Sequence, residues 1–258
     1  MTPTVTAQPT KLTLTPLRTL PEFGPGDELA HEILAAAKRE NHTWTDSTIV
    51  VIAQKVVSKV EGQIVDLRTI EPSAKAIRFA EDFDKDPRLV ELVLRESRRI
   101  VRMERGVIIS ETHHGFVCAN AGIDQSNIED QESAILLPKD PDASAQVVRE
   151  AVSLKTGVAC GVVVSDSFGR PWRVGQVDVA IGVSGLAPLD DRRGSTDRHG
   201  RTLTATCIAV ADELAAAAGL LMQKDAGRPV VLIEGYVPPS SPGTGRDLVR
   251  APESDLFR

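Results

Sequence analysis

Aromatic residues make up only 3% of this 258-residue chain. That scarcity excludes a surface built to stack nucleic-acid bases and leaves the core to Val, Ile, Leu and Ala. Positive charge is also in deficit, since 30 Lys and Arg face 36 Asp and Glu for a net charge of −6. The densest basic stretch, Arg192 to Arg201, is broken by Asp197 and glycine, so it offers no stripe for a polyanion. Cysteine is rare: Cys118, Cys160 and Cys207 lie far apart, without a CxxC pair or a histidine at ligand spacing. This excludes a disulfide framework and a structural zinc site, and suits a reducing cytoplasm. No apolar run reaches the roughly 18 residues of a membrane span. The polar start, Met1 to Thr10, has no apolar signal-peptide core. We expect a soluble, cytoplasmic protein with a flexible N-terminus over 1–10 and neither nucleic acid nor membrane as partner.

Familiar motifs are missing too. Neither GxxxxGK[ST] nor GxGxxG occurs, so a nucleotide would have to be held without a Walker loop or a dinucleotide fingerprint. The absence of GxSxG and HExxH removes the commonest hydrolase and zincin readings. His113-His114 is the nearest thing to a histidine metal pair, but adjacent residues of a strand point to opposite sides.

What is present is the make-up of an ordinary globular protein, 41% hydrophobic and 26% charged. Strands are expected at Leu12 to Leu17, Thr48 to Gln54, Gln63 to Asp66, Val158 to Val164, Gln176 to Val183 and Val230 to Glu234. A hairpin is expected around Glu104-Arg-Gly106. Helical spacing covers Glu28 to Glu40, Glu71 to Phe83, Asp86 to Ser97, Asp140 to about Lys155, and Leu203 to Leu221. Strands and helices do not alternate regularly, so the fold class is α+β with a mixed sheet.

Two acidic stretches follow apolar runs: Cys118-Ala-Asn-Ala-Gly-Ile-Asp-Gln-Ser-Asn127 and Val162-Val-Val-Ser-Asp-Ser-Phe-Gly-Arg-Pro-Trp-Arg-Val-Gly175. Asp124 and Asp166 sit beside hydroxyl and amide groups, a hard oxygen set that suits Mg²⁺ or Mn²⁺ carrying phosphate. Arg170 and Arg173 match phosphate or carboxylate oxygens, as do Arg192 and Arg193 further on. Each feature also has a plainer reading. Asp124 would equally cap a helix beginning near Ile128, Lys55 and Lys59 would as readily form a solvated helix face as contact phosphate after the buried strand, and the arginines would be surface charges, although a Gly-flanked, Trp-bearing loop is an odd place for idle ones. Asp166, at the end of the most strand-like run, is the residue hardest to assign to a turn.

The chain resembles the coenzyme F420 γ-glutamyl ligases over nearly its whole length. The likeness runs through Leu20-Pro-Glu-Phe23, Val56-Val-Ser-Lys-Val-Glu-Gly62, Ala121-Gly-Ile-Asp-Gln-Ser-Asn127, Asp140-Pro-Asp-Ala-Ser144, Ser165-Asp-Ser-Phe-Gly-Arg-Pro-Trp-Arg-Val-Gly-Gln176, Ala209-Val-Ala-Asp-Glu-Leu-Ala215 and Asp255-Leu-Phe257. The resemblance implies a mixed fold of the family's own type, an intertwined homodimer, and GTP-dependent addition of L-glutamate to a deazaflavin precursor through an acyl phosphate. It implies that Asp124, Asp166 and Ser167 hold the divalent ions, two of Mg²⁺ or Mn²⁺, with K⁺ as a candidate monovalent ion. It places GTP against Leu20, Pro21, Glu22, Phe23, Gln54, Lys59 and Asn127. A second nucleotide- and metal-contacting stretch would be Leu220, Leu221, Met222, Gln223, Lys224, Asp225, Ala226 and Gly227. Lys59, Arg170 and Arg173 are the candidate catalytic cations. The ligase domain would cover 11–258, without the C-terminal flavin-binding domain that some relatives carry. Two other classes remain open on the residues alone: a metal-dependent phosphohydrolase, and a non-catalytic nucleotide- or deazaflavin-binding module.

Overall fold

Runs of β-branched residues build the centre of the molecule, which the computed structural model describes over residues 11–126, 130–239 and 242–256. Strands β1 (Thr13–Pro16), β2 (Ile49–Ala53), β8 (Gly161–Arg170), β9 (Arg173–Ser184) and β12 (Val230–Glu234) form a five-stranded sheet in the order β1-β12-β2-β8-β9. Only β2 and β8 run parallel in it. Side chains alternate between its two faces, as the pleat requires. Val50, Ile52, Val162, Val164, Val230 and Leu232 pack on helices α1 (Leu29–Arg39), α2 (Gln54–Val60) and α5 (Pro141–Thr156). Ile49, Val51, Val163, Val231 and Ile233 pack on α6 (Val210–Met222). Burying each such side chain contributes about 1.5–3 kcal/mol, so these strands fix the frame.

A second cluster joins α3 (Ala74–Phe83) and α4 (Pro87–Arg95) to the sheet β4 (Ser97–Glu104), β5 (Val107–Thr112) and β6 (Val117–Ala119). The pair β3 (Ile64–Asp66) and β7 (Ser133–Ile135) connects it to the rest, and β10 (Asp190–Asp191) pairs with β11 (Cys207–Ile208) at the periphery. The architecture is α+β with mixed sheets, as expected. Among the described residues no helix is long and apolar enough to cross a membrane, and all three cysteines are free.

Local chemistry sets the boundaries. Asp140 caps α5 by accepting from the Ala143 amide at 3.1 Å. Pro141 occupies its first turn, and Gly157 ends it at φ 73°. Three expectations need correction. The helix expected from Leu203 begins only at Val210, because β11 occupies the chain just before it. The strand expected at Val158 to Val164 is instead Gly161–Arg170, so Asp166 lies within a strand rather than after one. His113 and His114 lie in a turn, not a strand. They still diverge, His113 toward the Arg95 carbonyl and His114 toward those of Pro138 and Lys139. The expectations for residues 1–10, Asn127 and Phe257 fall outside the described residues.

Candidate active site

The parallel neighbours β2 and β8 end their pairing together, at Ala53 opposite Ser165. Immediately beyond, one chain turns into α2 with Gln54 and Lys55, and the other carries Asp166 outward, paired only with β9. Diverging ends of adjacent parallel strands make an open crevice, a common position for ligand groups. Asp124 arrives from the other cluster. Its backbone pairs with Ile135 in both directions, at 3.0 and 2.8 Å. Residues 130–132 are non-helical and β7 starts at Ser133, which rules out the cap of a helix running through Asp130 and Glu132.

Lys55 Nζ lies 2.9 Å from Asp124 Oδ2 and donates to Ser126 Oγ at 2.6 Å, while the Ser126 amide donates to Asp124 Oδ1 at 2.6 Å. Burial pushes the Asp124 carboxyl up, but the Ser126 amide and the Lys55 ammonium outweigh it and hold the group below the usual carboxylate range. Asp166 shows the opposite balance. Burial raises its pKa to about 7, against a hydrogen bond from the Ser167 amide at 2.8 Å. The Asp124 and Asp178 carboxylates contribute to that rise. The Ser167 hydroxyl is 2.5 Å from Asp178 Oδ1, across the β8–β9 pair. Negative charge therefore gathers here around the Lys55 ammonium.

The other sequence candidates are distributed around this centre. Lys59, one turn along α2 from Lys55, is 3.6 Å from Glu22, whose neighbour Phe23 is buried. The loop bearing Leu20, Pro21, Glu22 and Phe23 thus lies along α2. Gln54 is buried and donates to Ser58 Oγ at 2.7 Å and the Leu136 carbonyl at 3.0 Å. The 220–227 stretch begins in the last turn of α6. Met222 is buried, Gln223 adopts φ 48°, and Lys224 reaches Gln176 on β9 at 3.4 Å. Arg170 and Arg173 are not brought to the carboxylates. They flank the hairpin tip, four residues beyond Asp166 in β8, which is roughly 13 Å along a strand. Arg170 donates there to the Val174 carbonyl at 2.8 Å.

One participant, Asp178, carried no assignment from sequence, and another, Lys55, was a candidate phosphate contact that the structure places against a carboxylate. Lys55 shared the i, i+4 pattern with Lys59, and nothing in that spacing says which lysine meets a carboxylate. Asp178 is a charge inside the apolar alternation of Gln176 to Val183, a signal that could have marked it.

Set against known proteins, residues 18–235 match the family model F420-0:Gamma-glutamyl ligase. The chain belongs to this family. Curated relatives agree along almost their whole length. Coenzyme F420:L-glutamate ligase of Methanothermobacter thermautotrophicus is 48% identical over 244 residues, 93% of this chain and 96% of its own. The proteins of the same name from Methanocaldococcus jannaschii and Methanopyrus kandleri are each 45% identical. They cover 93% and 91% of this chain, and 94% and 92% of their own.

Proposed function

We propose that this protein is a ligase that joins L-glutamate to the deazaflavin precursor of coenzyme F420, with GTP as the energy source. The observation that carries the reading is the Lys55–Asp124 ion pair at the ends of β2 and β8, with Asp166 within electrostatic reach of both and of Asp178, in a chain of this family. Such an excess of carboxylate fits a hard divalent cation, and the Ser167 hydroxyl, which the pleat turns to the Asp178 side of β8, fits the second of the two ions. Among the described residues no three His, Cys, Asp or Glu side chains converge to chelate an ion by themselves. Asp124, Asp166 and Ser167 would hold Mg²⁺ or Mn²⁺, the shell being completed by phosphate oxygens and water, with K⁺ a candidate beside them. A divalent ion held there supplies charge neutralisation to the transferring phosphoryl group.

The chain's own groups account for the rest. Lys55 and Lys59 place two ammonium groups one helical turn apart on α2, on the side where the phosphates would enter, and the 20–23 loop lines the same helix. A carboxylate oxygen of the deazaflavin precursor attacks the γ-phosphorus of GTP, and GDP leaves. The amine of glutamate then attacks the acyl carbon, loses a proton and expels phosphate. Holding the reactants in line is the main task of the protein in such a reaction. The exposed hairpin tip, with Trp172 81% and Val174 99% accessible, supports a homodimer in which this tip is covered.

An isotope experiment tests the chemistry. With ¹⁸O in the acceptor carboxylate, the reading expects one ¹⁸O in the released phosphate for each amide formed. Unlabelled phosphate would show that water, not the carboxylate, attacks GTP, the behaviour of a phosphohydrolase.

A further inference from the structure

We propose that Asp178 is a positioning residue of this site, acting through the Ser167 hydroxyl. Ser167 and Asp178 face each other in register across β8 and β9, with Ser167 Oγ 2.5 Å from Asp178 Oδ1. In this bond the Ser167 hydroxyl donates its hydrogen and the Asp178 oxygen accepts it. That bond fixes the rotor and leaves Ser167 Oγ presenting lone pairs alone. Without Asp178 the hydroxyl would be free to turn its hydrogen toward an incoming cation or phosphate.

The surroundings are shaped for this carboxylate. Gly219 lies inside α6, where glycine is a poor helix former, yet a Cβ there would come within 2.2 Å of Asp178 Oδ2. The notch lets one oxygen of Asp178 lie against the helix while the other receives Ser167. Position 219 thereby joins α6, whose next residues begin the 220–227 stretch, to the acidic end of β8. A cross-strand pair that served the hairpin alone would need neither the charge nor the notch.

The inference rests on the divalent-ion reading above, and Mn²⁺ binding separates the two. Free Mn²⁺ is followed by electron paramagnetic resonance at pH 8, with the metal alone and with GTP. The comparison covers the unmodified protein, Asp178→Ala, Asp178→Asn, Ser167→Ala and the double variant Ser167→Ala/Asp178→Ala. Loss of an orienting partner typically weakens metal affinity about 10–100-fold. We expect about 10-fold weakening in Asp178→Ala and near-complete rescue in Asp178→Asn, which keeps an acceptor oxygen for Ser167. The double variant should be no weaker than Ser167→Ala. Binding by Asp178→Ala equal to that of the unmodified protein, or losses that multiply in the double variant, would overturn the positioning role. Failure of the unmodified protein to bind Mn²⁺ at all would instead overturn the metal reading beneath it. Thermal unfolding of each variant checks that the fold is retained, and Asp178→Asn, nearly the same shape, carries the test should Asp178→Ala unfold.

Discussion

Lys55 touches Asp124, and its charge also reaches Asp166, so the ionisation of the crevice is a property of the group. Asp166 is the costly member, because its charge is held in a partly buried place beside two other carboxylates. Replacing it by the neutral isostere separates function from stability. Asp166→Asn should lower ligase turnover by at least about 100-fold, the scale of losing one charge-stabilising group, while the thermal midpoint stays level or rises. Turnover within a few-fold of the unmodified protein would remove Asp166 from the site. His42 offers a second residue-level test. Burial lowers its pKa below the usual histidine value, Glu234 at 3.9 Å only partly opposes this, and its ring packs edge-on to Trp44. Below about pH 6.5 the unfolded chain takes up a proton there that the folded chain resists. Stability is therefore present above that pH and lost as pH falls through it. His42→Phe should show a smaller drop in urea midpoint between pH 7.5 and 5.5 than the unmodified protein, and an equal drop would contradict the assignment. At this scale the sequence singled out Asp124 and Asp166 as candidates, because each follows an apolar run. It could not pair Ser167 with Asp178, since that contact exists only once β8 and β9 are in register.

At the level of elements, apolar periodicity located the buried strands well but misjudged those that leave the core. β2 and β12 fall where their Val and Ile runs lie. β8 and β9 extend past those runs because they pair with each other, and a two-stranded ribbon tolerates Asp, Arg and Gly. The apolar spacing that continues upstream of α6 suggests helix from Leu203, but Thr204, Thr206, Cys207 and Ile208 are weak helix formers, and β11 pairs there with β10. The ribbon's geometry depends on how closely β9 meets α5. A Cβ at Gly182 would lie 2.3 Å from the Pro141 carbonyl oxygen, a backbone atom that cannot swing aside. Gly182→Ala should therefore cost about 2 kcal/mol or more, read from urea unfolding, with activity falling as the ribbon shifts. An unchanged midpoint would mean that α5 and β9 are not packed this tightly.

The whole molecule assembles its crevice from residues between Gln54 and Asp178, brought together by the sheet order and by one parallel pair. Composition gave no hint of that order; the family resemblance carried what the residues alone left open. Oligomeric state belongs to this scale. Sedimentation should give twice the 27.7 kDa of a single chain, and Trp172→Glu at the exposed tip should shift the population toward monomer. A single-chain mass at micromolar concentration would contradict the dimer. The central claim concerns bond formation, and mass spectrometry of the products reads it directly. The purified protein is incubated with the deazaflavin precursor, L-glutamate, Mg²⁺ or Mn²⁺ and GTP, with ATP and no-glutamate controls. The account predicts product heavier by glutamyl units, with GDP formed only when acceptor and glutamate are both present. GTP breakdown that proceeds without glutamate and leaves the acceptor unchanged would contradict it.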